Sequence, residues 1–155
     1  LPLYLYNRLE MMAEVLAPGG GWILPLIDAQ RRSWYTALFQ DRKKISEWMD
    51  LEDVFLRECL SDPADFFKKM KADFPKSALL QVGGEVPQIE TWGPNVNLIK
   101  SEAHRNLSEA LLVRLETDFR TKKTPADVMA CVPFYLRRSE AENLHDLRAE
   151  KKSPL

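Results

Sequence analysis

Residues that commonly carry chemistry are scarce in this chain. Histidine occurs only at His104 and His145, with no second histidine four residues along. A metal site needs His, Cys, Asp or Glu clustered at ligand spacing, and no such motif is present, so no metal is expected. Cysteine occurs only at Cys59 and Cys131, too few for a disulfide framework. Both lie among apolar neighbours, in FLRECL and MACVPF, and both are expected to be free, buried, structural thiols. There is no GxSxG elbow to present a nucleophilic serine. Glycine occurs six times. The runs Gly19-Gly20-Gly21 and Gly83-Gly84 lack the trailing Lys-Ser/Thr of a P-loop and the full dinucleotide fingerprint, so they read as joints or turns. No apolar run approaches the ~20 residues of a membrane span. No secretory signal is evident, and the expected compartment is the cytoplasm. Charge of one sign is not in excess either: 22 basic against 23 acidic residues leave a net charge of −1. That balance gives no whole-chain electrostatic case for nucleic acid or membrane. The pairs Lys68-Lys69, Lys122-Lys123 and Lys151-Lys152 read as solvated faces.

The sequence holds enough chain for one domain, long enough to bury roughly 70% of the surface its unfolded form exposes. Its organising stretch is WILPLIDAQRRSWYTALF, residues 22–39. Trp22 to Ile27 is short, apolar and interrupted by Pro25, which predicts a strand buried on both faces. From Trp34 to Phe39 the side chains alternate, with Trp34, Thr36 and Leu38 on one face and Tyr35, Ala37 and Phe39 on the other. The two runs predict a β-hairpin. Its turn, Asp28 to Ser33, gathers one carboxylate and two guanidiniums at a sheet end and is the first place to look for a site.

In chain order, Leu1 to Tyr6 reads as a short strand. Asn7 with Glu10 forms a capping-box pattern ahead of a helix whose buried face is Leu9, Met12, Ala13 and Leu16. Pro18 to Gly21 ends it. Lys44 to Val54 fits either a helical stripe or a third antiparallel strand, and the strand is preferred. Asp62-Pro63 signals a helix start, followed by an apolar face of Phe66, Phe67, Met70 and Phe74. Ser77 to Val82 predicts a buried strand, 85–94 a loop, and Val96 to Ile99 another strand. Ser101 or Asn106 opens a long helix with the face Leu107, Leu111, Leu112, Leu115 and Phe119. Pro133 to Arg137 reads as extended and residues 143–155 as a polar tail. The aromatics Trp22, Trp34, Trp48 and Phe66 read as core. The interleaving predicts an α/β or α+β class with a mixed sheet.

Four stretches, taken in order across residues 1–142, resemble the TsaB family of YeaZ-like, glycoprotease-related proteins. LPLYLYNRLEMMA resembles that family's strand-to-helix segment, roughly G-V-S-T-L-E-x-L-A. PLIDAQRRSWYTALF resembles its hairpin, I-D-A-R-R-x-E-V-Y-x-A-x-F. LLQVGGE resembles its V-G-x-G strand end, and VPFYLRRSEAE its closing P-x-Y-L-R-x-x-x-A-E. Arg31 matches the second arginine of the hairpin motif, whereas Gln30 stands for the first. Ser33 and Trp34 replace Glu-Val, and Leu5-Tyr6-Asn7-Arg8 replaces Gly-Val-Ser-Thr. The family's N-terminal half, with its early Asp-Thr-Ser strand, has no counterpart here. With the chain opening Leu1-Pro2-Leu3, this suggests a fragment or an interior start.

The resemblance implies an α/β, RNase-H-like or actin-like ATPase half-domain with flanking helices. It implies a non-catalytic, cofactor-free scaffold in threonylcarbamoyl-adenosine modification of tRNA. The implied partners are a TsaD-like catalytic subunit and a TsaE-like ATPase, with tRNA met only indirectly and no membrane. In the superfamily the first hairpin of each half cradles nucleotide phosphate. Here the turn keeps Asp28 and Arg31 but has no glycine, so side chains crowd the approach a phosphate nest needs. Asp28 and Arg31 are therefore candidates for a relic phosphate loop, and ATP is expected to bind no better than weakly. The alternative is a nucleotide- or phosphate-binding enzyme domain that uses those two residues. With the first half absent, the Asn7–Leu16 helix is expected to be bare, presenting Leu9, Met12 and Leu16 as a patch for self-association.

Overall fold

The computed structural model describes residues 3–89, 91–99 and 103–127. Strand β1 (Trp22–Asp28) is the axis of a mixed sheet. On one side it pairs antiparallel with β2 (Ser33–Thr36) and β3 (Phe39–Gln40). These two form one run in a single register, with a gap centred opposite Pro25, which has no N–H for the ladder. The Thr36 hydroxyl donates to the Pro25 carbonyl there, at 2.7 Å. Beyond β2 lies antiparallel β5 (Met49–Glu52), and beyond β3 the two-residue β4 (Lys43–Lys44). On its other side β1 pairs parallel with β6 (Leu80–Gly84), which pairs parallel with β7 (Val96–Leu98).

Both faces of β1 are covered, as its continuous apolar run requires. Leu24 and Leu26 join Leu80, Val82, Trp34 and Leu38 against α2 (Asp53–Ser61) and α3 (Pro63–Lys69). Ile23, Ala37 and Phe39 face α1 (Arg8–Leu16), which buries Leu9, Met12, Ala13 and Leu16. The alternation read from Trp34 to Phe39 thus holds, and the hairpin, α1, the start of α3 and β7 form where expected; β6 starts at Leu80 rather than Ser77 and takes in Gly83-Gly84, which pair with Pro25 and Leu26 instead of forming a turn. Asn7 caps α1 by accepting the Leu9 N–H, and Asp62 caps α3 by accepting that of Asp65, with Pro63 in the first turn.

Several expectations need correction. Among residues 3–6 there is no strand; the Leu3 carbonyl instead accepts the Ala126 N–H at 2.7 Å. Lys44 to Val54 is not one strand: Lys44 belongs to β4 on β3, Met49–Glu52 form β5 on β2, and Val54 lies in α2, because the β2–β5 ladder ends at the Ser33–Glu52 pair and the Asp53 N–H turns to the Arg32 carbonyl. Met70 and Phe74 both fall after α3, Met70 half exposed and Phe74 buried in the core from the following loop. The Asn7–Leu16 helix is not bare, since Leu9, Met12 and Leu16 pack on the sheet and beside α4 (Ala103–Arg120). Of the α4 face, only Leu107 packs into the core; Leu111, Leu112, Leu115 and Phe119 are exposed. The extended segment read at Pro133 to Arg137, the tail at 143–155, Cys131 and His145 lie outside the described residues.

Polar contacts, rather than that stripe, hold α4 to its neighbours. Arg114 pairs with Glu14 of α1 at 2.7 Å. Buried Asp118 accepts from Lys123 at 2.7 Å and from the Tyr6 hydroxyl at 3.0 Å. The Lys123 bond, helped by Tyr6 and opposed by desolvation, holds the Asp118 carboxyl below its ordinary range. A carboxylate with a lowered folded pKa stabilises the fold above its unfolded value near 3.9, and this is lost as pH falls through the folded one. Asp118→Asn is therefore expected to lower the melting temperature at pH 7, with the gap from wild type closing in acid. Paired melts at pH 7 and pH 2 check this; a gap that persists in acid would refute the role.

Candidate functional site

The turn between β1 and β2 is built by its own side chains. Gln30, Arg31 and Arg32 all have left-handed backbones, with φ of 64°, 53° and 61°. Such a run is unfavourable for L-residues without local bonds to hold it. Asp28 supplies one: its Oδ1 accepts the Gln30 N–H at 2.6 Å. The Ala29 N–H donates to the Ser33 carbonyl at 2.9 Å. The Ser33 N–H and hydroxyl both donate to the Gln30 carbonyl, at 3.2 and 3.1 Å. Three N–H groups that could have faced an anion are thereby directed inward.

Glu85, which the sequence reading placed in a loop without a role, ties this turn to the sheet. One carboxylate oxygen accepts the Asp28 N–H at 2.7 Å, and the other pairs with Arg8 at 2.8 Å. Its N–H donates to the Leu26 carbonyl, and its own carbonyl accepts the Trp34 indole N–H at 3.0 Å. A glutamate 57 positions from Asp28 carries no local motif, and only the β1–β6 register brings the two together.

Arg31 and Arg32 line a cavity of about 480 Å³ with Ser33, Asp50, Glu52, Asp53 and Val54. Asp28 is not part of that wall. The structure therefore does not bring Asp28 and Arg31 together on one ligand volume: the Asp28 carboxylate serves the turn, and Arg31 shares its cavity with acids of β5 and α2. Three carboxylates beside two guanidiniums oppose a phosphate more than they invite one. Among the described residues no three His, Cys, Asp or Glu side chains form a group that could hold a metal ion.

Cys59 is no nucleophile in this setting. It is fully buried in the α2 core, and desolvation, with a smaller contribution from the Glu58 charge, pushes its thiol far up. Native Cys59 is expected to resist a thiol reagent at pH 8 for as long as the chain stays folded; labelling within minutes would contradict its placement.

Comparison with protein-family models, curated proteins and solved structures gave no match to this chain. What stands on its own is an α/β protein with a mixed sheet and flanking helices. No described helix is long and apolar enough to cross a membrane.

Proposed function

We propose that this chain is a non-catalytic scaffold supporting threonylcarbamoyl-adenosine modification of tRNA, built as an RNase-H-like or actin-like half-domain. The observation that carries the reading is the inward closure of the Asp28–Ser33 turn. A phosphate-binding hairpin needs backbone N–H groups turned outward and room for the anion. Here Asp28 and the Gln30 and Ser33 carbonyls take up the N–H groups of Gln30, Ser33 and Ala29. The sheet agrees with the proposed architecture: an antiparallel hairpin leads into two parallel strands, with helices on both faces. In this reading the partners are a TsaD-like catalytic subunit and a TsaE-like ATPase, the tRNA is met only through them, and the complex works in the cytoplasm. The enzyme alternative would require Asp28 and Arg31 to act on one phosphate, and their separation counts against it.

The role is tested by deleting the gene and measuring threonylcarbamoyl-adenosine in digested tRNA by mass spectrometry. The modified nucleoside is expected to fall at least about tenfold. Recovery is expected with both the wild-type gene and an Arg31→Ala gene. An unchanged nucleoside level after deletion would overturn the proposal; recovery with wild type alone would favour the enzyme alternative.

A further inference from the structure

Helix α4 carries an unpartnered apolar stripe. Leu111, Leu112, Leu115 and Phe119 are 40, 65, 38 and 66% exposed. At 3.6 residues per turn they fall within about 100° of arc. The adjoining arc, with Leu107, Arg114 and Asp118, is the one that meets α1 and the N-terminal segment. Four large apolar side chains in one contiguous strip are unusual on a surface that meets only water.

We propose that this stripe is the seat of the chain's own residues 128–136, VMACVPFYL. Apart from Pro133, every residue of that segment is hydrophobic, and charge resumes at Arg137. Seven residues, 121–127, lead from the end of α4 to the segment. Lys123 is anchored on Asp118 and the Ala126 N–H is fixed to the Leu3 carbonyl, which holds the chain ahead of the segment near the stripe's own end of the helix. From Leu111 to Phe119 the helix rises about 12 Å. Nine extended residues reach about 30 Å, enough to run back along the full stripe. Tethering gives this occupant an effective concentration in the millimolar range, well above that of a second copy in dilute solution. Charge matching agrees: segment and stripe are both neutral, while Glu109, Glu116 and Arg120 lie outside the stripe's arc.

Cys131, at the middle of the segment, is a built-in probe, and buried Cys59 does not compete with it. In the full chain, Leu112→Cys and Leu115→Cys are expected to form an intramolecular disulfide with Cys131 under mild oxidation. At least one should react about tenfold faster than Arg120→Cys, which is nearer in sequence but lies about 80° beyond the stripe's edge. In a second measurement, Leu112→Ser, at an exposed position, is expected to raise the labelling rate of Cys131 by a thiol reagent about tenfold over wild type. Equal cross-linking at all three positions, no cross-link at any, or unchanged Cys131 labelling would overturn the proposal. A disulfide-linked dimer would overturn it too, and would assign the stripe to a second copy.

Discussion

Replacing Gly84 with alanine is expected to destabilise the fold by at least about 3 kcal/mol, a large fraction of a typical domain's stability. Gly84 ends β6 with φ of 102°, a conformation that L side chains rarely adopt. A Cβ there would sit 2.4 Å from the Leu26 carbonyl oxygen and 2.4 Å from the Met12 methyl. The methyl can move, but the carbonyl belongs to the central strand and accepts the Glu85 N–H. Relief of the clash therefore has to shift the β1–β6 ladder or the residue that holds Asp28. Gly19→Ala is the matched control, because nothing lies within 4 Å of its added Cβ. Urea titrations of both variants check this: Gly84→Ala should lower the midpoint sharply and Gly19→Ala should leave it nearly unchanged. Equal midpoints would mean that Gly84 does not lie this close to the Leu26 carbonyl of β1.

Phe67→Ala is expected to cost about 3–5 kcal/mol, the usual range for emptying a large buried aromatic site. Phe67 is fully buried on α3, 5.4 Å from the Phe66 ring and 5.6 Å from the Phe74 ring. Phe74 in turn meets Trp22 of β1 at 5.1 Å, edge to face. The cavity left at Phe67 would loosen the chain of rings that docks α3 on the sheet. At roughly 2–4 °C per kcal/mol for a chain of this length, the melting temperature should fall by about 10 °C. Phe55→Ala, at an exposed position on α2, should shift it little. Comparable losses for the two variants would refute the assigned core.

The elements that could be read from sequence were those whose local signals and tertiary roles coincide. Trp34 to Phe39 alternates because each of its faces meets a separate core, and Asp62-Pro63 starts α3 because both residues satisfy its first turn. Helix α2 escaped notice because its N-cap, Glu52, makes no side-chain cap bond and because its first residues continue a strand-like alternation. The apolar stripe of α4 suggested burial, yet polar contacts fix the helix, two of them from Glu14 and Tyr6, far away in sequence, and one from Lys123 just past its end. The site was legible only in outline. Asp28 and the two arginines mark the turn, but whether its N–H groups point outward depends on dihedral angles and on Glu85. No spacing in the sequence encodes either.

Calorimetry of the full chain with Mg-ATP tests most directly the claim that the Asp28–Ser33 turn is closed on itself. Binding no tighter than millimolar is the predicted result, with no difference between wild type and Asp28→Ala. A micromolar constant that Asp28→Ala abolishes would contradict the account and make the turn a working phosphate site.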